Sequence, residues 1–393
     1  MLPLEGFRVL DLTHVLAGPC ATHHLRCMGA EVIKIERPGG GDPMRALDMQ
    51  PELDGLTPGF RALNAGKKSV VVDLATDEGR ATVLRIAQTC DVFVENFRPG
   101  VARRFGLAPE ELAAVRPGII YCSISGWGQS GPNSARGAYD HVIQAATGMM
   151  ALQGNPGDPP IKVGFPVIDI ATGMSAAEAI LAAIVRRLRG DTAPITLDVS
   201  MVDCALALMS GPAANTIATG KAPPRVGNRG FVGSPGAETF ATTDGHISVA
   251  ANTMGQFTTL CRLLGHPELA RPPHVPEGLS AGAFLADAAT DDLRRRLVAA
   301  FAASQAEMLE QALNEAGVPA ARVRSLGEYL VEIYPSTPGI GVAGEALALG
   351  PAFRWVNGEE PSLPPAPRLG ADNDTFNADT LPVPLGPAQA ARR

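Results

Sequence analysis

Short β-branched runs alternate with helix-forming segments over the first 125 residues, and this alternation restricts the fold more than any other feature. Strands are predicted over residues 8–12, 31–35, 69–74, 91–94 and 119–123, and helices over about 19–28 and 77–88. Apolar runs separated by helices are typical of βαβ units in a parallel sheet. Ligands of such sheets bind beyond the carboxyl ends of the strands, so the loops of interest are 13–19, 36–45 and 95–100. We therefore predict an α/β fold with a Rossmann-like parallel sheet.

The predicted sheet lacks the usual nucleotide-binding signatures. No G-x-G-x-x-G follows the first strand, and no G-x-x-x-x-G-K-[ST] occurs in the chain. Gly39-Gly40-Gly41 is more typical of a flexible loop than of a dinucleotide site. Neither NAD nor ATP is indicated.

Beyond the first strands the pattern predicts several segments. Residues 1–212 continue the alternation, and residues 213–236, rich in Gly and Pro, are predicted to form a linker between domains. Residues 237–325 follow it, with a hairpin that turns at Asp244-Gly245 and then mainly helices. The Pro-rich segment 326–393 either wraps around a partner subunit or returns to the large domain.

Charge and cysteine usage exclude several classes of protein. The net charge of −7 with no block of Lys or Arg argues against nucleic acid or an anionic membrane as the main partner. No apolar run reaches about 18 residues, so no transmembrane helix is expected. The six cysteines include no C-x-x-C pair and the histidines show no H-E-x-x-H spacing, so we expect no metal site. Reduced core cysteines are typical of a cytoplasmic protein.

Asp169 is the strongest candidate for chemistry. It lies in Gly164-Phe165-Pro166-Val167-Ile168-Asp169, at the start of a strongly patterned helix. A carboxylate in an apolar run is costly to bury, and a helix N-terminus is one place where its charge is stabilised. We therefore expect an ionised, poorly hydrated carboxylate that can act as a nucleophile. The alternative is an Asp that serves only as a helix cap.

Six segments taken together resemble the class III CoA-transferases, the family of formyl-CoA transferase and carnitine CoA-transferase, with α-methylacyl-CoA racemase as a distant relative. These segments are residues 11–19, 29–38, 64–69, 95–100, 198–200 and 243–245. The resemblance extends over about residues 4–380. It implies a Rossmann-like large domain built from both chain ends, residues 1–212 and 326–393, a small α+β domain over residues 237–325, and an interlocked homodimer.

The resemblance also implies a mechanism. The residue at the position of Asp169 attacks an acyl-CoA thioester and forms a mixed anhydride, and the released CoA thiolate then converts it to an aspartyl-CoA thioester. A small carboxylic acid accepts the CoA, which is a substrate and not a permanent cofactor. Asp140 matches a position where the family often carries an active-site acid; the alternative is a helix-start carboxylate.

CoA-binding positions follow from the same resemblance. Val15, Leu16 and Ala17 are expected near the thioester. Cations and the loop after the fourth strand are expected to hold the rest of CoA, at Arg37, Lys67, Asn96, Phe97, Arg98, Arg104 and Tyr139. The alternative for each cation is a solvated surface charge.

Two other functions remain open at this point. The racemase relative uses a histidine where this chain has Tyr139, which is a poor base at neutral pH, so a 2-methylacyl-CoA racemase is the weaker alternative. A non-catalytic CoA-binding protein is the other. Leu16 stands where formyl-CoA transferase has glutamine, so we expect a more apolar acid or a dicarboxylate held elsewhere. Residues 369–373 also depart from the commoner Leu-Gly-Glu-His-Thr of the family.

Overall fold

A computed structural model describes residues 2–47, 56–230, 233–286, 290–332, 352–353 and 363–376 of the chain. The chain divides into two compact units. The first comprises Met1–Met149, Lys162–Lys221 and the described part of Gly339–Arg393. The second comprises Met150–Ile161 and Ala222–Pro338, with the same restriction to described residues.

The first unit contains a six-stranded parallel sheet with strand order β3-β2-β1-β4-β5-β6. The strands of the chain are β1 (Arg8–Leu12), β2 (Glu31–Glu36), β3 (Lys68–Val71), β4 (Val92–Glu95), β5 (Ile120–Ser125), β6 (Ile195–Ser200), β7 (Gly236–Thr242), β8 (Gly245–Ala251) and β9 (Ala320–Arg322). The order reverses direction at β1 and β4, where a doubly wound sheet opens a crevice at its carboxyl edge. The predicted α/β fold with a parallel sheet is confirmed.

Helices cover both faces of this sheet. The helices of the chain are α1 (Ala17–Cys27), α2 (Pro58–Asn64), α3 (Asp77–Ala87), α4 (Val101–Arg104), α5 (Pro109–Val115), α6 (Asp140–Ala146), α7 (Met149–Leu152), α8 (Val167–Leu188), α9 (Met201–Leu208), α10 (Ser210–Thr219), α11 (Met254–Leu263), α12 (Asp291–Ala302), α13 (Ala306–Glu315), α14 (Leu326–Glu332) and α15 (Asn373–Phe376). Val9 of β1 faces one core with α1 and α8, whereas its neighbour Leu10 faces a second core with α3. Because successive strand residues point to opposite faces, continuous apolar runs are needed to fill both cores.

The long helix α8 packs closely against α1. A Cβ on Gly173 would lie 2.6 Å from the Ala17 carbonyl oxygen and 2.6 Å from the Cys20 Cβ, so only glycine permits this approach. By length and apolar composition α8 could also cross a membrane. A single helix of this kind is weak evidence for a membrane span, and in α8 residues such as Ala177 and Ile180 lie in the core beside the sheet.

The described C-terminal residues 363–376 cover the edge strand β3. The Ser69 N–H donates to Asp372 Oδ2 at 2.9 Å, and the Val71 N–H donates to Asn373 Oδ1 at 2.8 Å. Phe376 is buried in the core beside α3. In this chain Asp372 and Asn373 therefore satisfy edge-strand donors that would otherwise be exposed. The remainder of the predicted segment 326–393 lies mostly outside the described residues.

The second unit contains the antiparallel sheet β7-β8-β9. Its hairpin connects Thr242 and Gly245, and the rings of Phe240 and Phe301 stack with centroids 4.0 Å apart. The units differ from the predicted domain limits in three places. Met150–Ile161 belongs to the second unit, although it lies within the predicted range 1–212 of the large domain. Helix α10 occupies the first residues of the predicted linker 213–236, and α14 groups with the second unit, where Arg322 and Arg324 pair with Glu332.

Candidate active site

A cavity of about 590 Å³ opens at the carboxyl edge of the parallel sheet. It brings together residues from the loops after β1, β4 and β5 and from the start of α8. Eight of the predicted site residues line it: Val15, Leu16, Ala17, Asn96, Phe97, Arg98, Tyr139 and Asp169. Arg37, Lys67, Arg104 and Asp140 do not line this cavity in the described part of the chain.

Asp169 is the third residue of α8 and is largely shielded from solvent. Its carboxylate accepts no hydrogen bond from any described residue, and it caps neither its own helix nor another. Burial, and secondarily the charge of Asp140, raises the pKa of Asp169 to about 7. The expected stabilisation of an ionised Asp169 by the helix N-terminus is not what the structure shows, since burial and the charge of Asp140 both disfavour the ionised form.

The first N–H groups of α8 are occupied by a different carboxylate. Asp140 Oδ2 accepts from the Ile168 N–H at 2.7 Å and from the Asp169 N–H at 3.1 Å. Gln144 donates to the other oxygen of Asp140, and its own amide oxygen accepts from the Val163 N–H at 2.9 Å. Asp140 is 8% exposed and begins α6, but it caps α8 and not its own helix. Its geometry is that of a residue that positions Asp169.

Lys67 occupies a place that contradicts its predicted contact with CoA. Its Nζ lies 3.1 Å from Asp11 Oδ2 and donates to Thr22 Oγ1 at 2.7 Å and to the Pro19 carbonyl at 3.1 Å. The side chain is 0% exposed. Burial alone would raise the pKa of Asp11, but the charges of Lys67 and Lys34 outweigh it and lower that pKa to about 2. Lys67 therefore neutralises a buried carboxylate beneath α1.

Asn96 also differs from its predicted role. Its Oδ1 accepts from the His14 N–H at 3.0 Å, and its Nδ2 donates to the His14 carbonyl at 2.9 Å. Both ends of the amide are therefore used within the protein. Asn96 lines the cavity while it joins the loop after β4 to the loop after β1.

A second cavity of about 360 Å³ adjoins the first, since His14, Pro43 and Phe97 line both. Its walls are mainly apolar and include Ile35 and Val72. Arg37 lines this smaller cavity, and Arg104 lines neither.

Sequence reasoning missed Arg136, which lines the larger cavity. Its guanidinium lies 4.5 Å from the centroid of the Trp127 ring and has no carboxylate partner among the described residues. Its position in the loop after β5 was the available signal, because that loop belongs to the same edge of the sheet as the loops considered. In the described ranges no group of three or more His, Cys, Asp or Glu side chains is arranged to hold a metal ion.

Comparison with known proteins agrees with the fold and the site. Residues 4–373 match the pattern of CoA-transferase family III. The chain is 34% identical over 376 residues to the succinyl-CoA:glutarate CoA-transferase of Mus musculus, covering 94% of this chain and 84% of the relative. It is 38% identical to the acetyl-CoA:oxalate CoA-transferase of Acetobacter aceti, covering 83% and 82%. The crystal structure of a CAIB/BAIF family protein from Brucella suis superimposes with a TM-score of 0.83 at 31% identity, covering 96% of this chain and 98% of that one.

The chain belongs to CoA-transferase family III. The predicted family is confirmed by a match that extends over nearly the whole sequence. The protein is an acyl-CoA:carboxylate CoA-transferase.

Proposed function

We propose that Asp169 is the nucleophile of this transferase. The observation that supports it is a largely shielded carboxylate on the wall of the larger cavity, with no hydrogen-bond partner among the residues that the structure describes. Such a carboxylate has lost most of its hydration, and hydration is what makes a carboxylate a weak nucleophile in water. The raised pKa of the group, about 7, has the same cause.

The proposed reaction needs no proton from the protein. An Asp169 oxygen attacks the thioester carbonyl carbon, the C–S bond breaks, and a mixed anhydride and CoA thiolate form. The thiolate attacks the Asp169 carbonyl carbon, which releases the donor acid as a carboxylate and leaves an aspartyl-CoA thioester. The acceptor carboxylate attacks the carbonyl carbon of this thioester, the C–S bond breaks, and a second anhydride and CoA thiolate form. The thiolate then attacks the acceptor acyl carbon, so that new acyl-CoA and free Asp169 carboxylate result.

The two adjoining cavities suit an extended CoA molecule. We propose that the apolar smaller cavity holds the adenine, with Arg37 at its wall for phosphate. The pantetheine then passes His14 and Phe97 to reach Leu16 and Ala17 beside Asp169. Arg98 and Arg104, both exposed at this edge, are proposed as further phosphate ligands.

A dicarboxylate is the acid class that we propose. Relatives of this chain are named for succinyl-CoA with glutarate and for oxalate. Leu16 offers no polar group to a short acid, whereas Arg136, whose guanidinium has no carboxylate partner among the described residues, lines the same cavity. Arg136 is proposed to hold the distal carboxylate, because a guanidinium and a carboxylate form strong, charge-assisted hydrogen bonds.

We further propose that two chains form an interlocked homodimer in the cytoplasm, without a nucleic-acid or membrane partner. Helix α10 has no buried residue in a single chain, and Ile217 is 83% exposed. Leu206 and Leu208 of the preceding helix α9 are also exposed, at 51% and 52%. A face of this kind is normally covered in solution. The buried, unpaired state of all six cysteines supports a reducing compartment.

The central test is Asp169→Ala. The variant should fold and lose transfer, and hydroxylamine should trap an adduct at Asp169 of the natural protein after incubation with acyl-CoA alone. Asp191→Ala, at the other end of α8, is the matched control and should retain turnover. Adducts mapped to another residue, or appreciable turnover by purified Asp169→Ala, would remove Asp169 from the mechanism. For the racemase alternative, deuterium at the α-carbon of a 2-methylacyl-CoA should be retained without an acceptor acid.

A further inference from the structure

Val15 adopts a backbone conformation that a β-branched residue rarely takes. Its φ of 68° lies in the left-handed region, and it is the one non-glycine residue with positive φ in the described ranges. In that region the Cβ crowds the backbone, and the second branch of valine makes the crowding worse. Such a conformation persists only when surrounding contacts enforce it.

Three consecutive residues of this loop are each held by a side chain from elsewhere in the fold. The Thr13 carbonyl accepts from Lys34 Nζ at 2.7 Å. Asn96 engages both the N–H and the carbonyl of His14, at 3.0 and 2.9 Å.

The Val15 N–H is the third point of attachment. It donates to Asp42 Oδ1 at 3.1 Å, and Asp42 Oδ2 lies 3.0 Å from Lys34 Nζ. Lys34 and Asp42 are both buried, so their pairing holds the carboxylate firmly in place. The loop is therefore attached on both sides of the sheet's first strand, through β2 and its following loop and through the loop after β4.

The strained residue lines the cavity that contains Asp169. Val15, Leu16 and Ala17 line the same cavity as Asp169, and α1 begins at Ala17. The Ala17 carbonyl oxygen packs against α8 so closely that a Cβ on Gly173, one turn after Asp169, would lie 2.6 Å from it. A change of conformation at Val15 would therefore move a wall of the cavity that Asp169 also lines.

We propose that Asn96 is a positioning residue, which together with Asp42 holds Val15 in the left-handed conformation and so sets the loop against Asp169. The inference rests on the proposed role of Asp169 in that cavity. It assigns the Asn96 side chain to the loop and not to CoA. Misplacement of a positioned group by about 1 Å costs about 100-fold in rate, which is the scale of effect expected here.

The test is a set of double variants. Asn96→Ala should lower kcat by about 100-fold with little change in KM for acyl-CoA. In a Val15→Gly background the same substitution should lower kcat by less than about tenfold, because glycine takes positive φ without steric cost. Val15→Ala is the matched control, because it loses the branched side chain but keeps a Cβ. In that background Asn96→Ala should still lower kcat by most of the factor seen in the natural protein.

Urea unfolding supplies a second test, in which Asn96→Ala should have a larger effect in the Val15→Gly background, whereas its effect on kcat should be smaller there. Removing Asn96 lets a strained Val15 relax, which offsets part of the lost hydrogen bonds. A glycine has no strain to release, so Asn96→Ala should lower the urea midpoint more in the Val15→Gly background than in the natural one. A residue that merely supports the fold would move activity and midpoint together in every background.

Two results would overturn the proposal. One is an equal loss of kcat on Asn96→Ala in all three backgrounds. The other is a raised KM for acyl-CoA with unchanged kcat, which would make Asn96 a direct CoA contact. The proposed function is tested separately. Turnover by Asp169→Ala would reject Asp169 as the nucleophile, whereas the coupling between Val15 and Asn96 is measured by unfolding and does not depend on that result.

Discussion

Replacing Asp169 by Asn should stabilise the folded protein at neutral pH while it removes activity. The pKa of Asp169 is about 7 in the fold against an ordinary 3.8, because burial and then the charge of Asp140 disfavour the ionised form. A carboxyl group with a raised folded pKa binds its proton more tightly in the folded state. Its contribution to stability is therefore complete below about pH 4 and is lost as the pH rises to about 7.

The size of the effect follows from the two pKa values. A tenfold change in proton affinity corresponds to about 1.4 kcal/mol, so the ionised Asp169 destabilises the fold by about 4 kcal/mol at pH 7.5. At pH 4.5 the same linkage gives only about 1 kcal/mol. The neutral amide of Asn has nearly the same shape and avoids this cost. The advantage of the variant should therefore grow by about 3 kcal/mol between the two pH values.

Urea unfolding of both proteins at pH 4.5 and 7.5 measures this difference. Asp191→Asn is the control, because Asp191 at the far end of α8 accepts from the Ala193 N–H and pairs with Arg186, and its pKa is lowered. That variant should gain no stability at pH 7.5. If Asp169→Asn is equally stable relative to the natural protein at both pH values, or less stable at pH 7.5, the reasoning about its burial is refuted.

Three further predictions concern the same unit. The rate of thiol release in a single turnover should rise with pH through about 7, since Asp169 must be ionised to attack, and a flat profile from pH 5.5 to 8 would contradict this. Lys67→Met should lower the free energy of unfolding by about 3–5 kcal/mol, because it leaves the Asp11 charge buried and unpaired. Arg98→Met is the comparison and should raise KM for acyl-CoA at unchanged stability. If Lys67→Met instead raised KM at unchanged stability, Lys67 would be a CoA ligand after all. Asp140→Ala should cost about 1–2 kcal/mol in urea unfolding through loss of the α8 cap, and no loss would show that the cap is not needed.

The sequence pattern predicted the sheet because strands that are buried on both faces need continuous runs of apolar residues, and such runs are visible in the sequence. The strand at residues 8–12 was predicted with the bounds it has, since Val9 and Leu10 must fill two different cores. Element ends were less accurate: α1 begins at Ala17 and not at about residue 19. Helix ends depend on loop contacts such as those around Val15, which no local pattern contains.

The candidate site was predicted in outline and not in its contacts. Asp169 and the loop residues 15–17 and 96–98 do line one cavity, because strand order brings their loops to one edge. Lys67 has the same residue type and local setting as a phosphate ligand, yet its ammonium group lies on Asp11, 56 positions away in the chain. Asp140 likewise contacts the Ile168 N–H, 28 positions away.

The order of residues alone was enough to determine a parallel α/β sheet, the edge of the sheet at which the larger cavity opens, and a carboxylate at the start of an apolar helix. These properties depend on periodicity and on the direction of strands, which are local. Only the tertiary structure decided which charges are exposed and which are neutralised, and that Asp169 would lose the helix N–H groups to Asp140. The reason is physical: the pKa and partner of a polar group depend on what packs within a few ångströms of it, and most of those atoms come from distant parts of the chain.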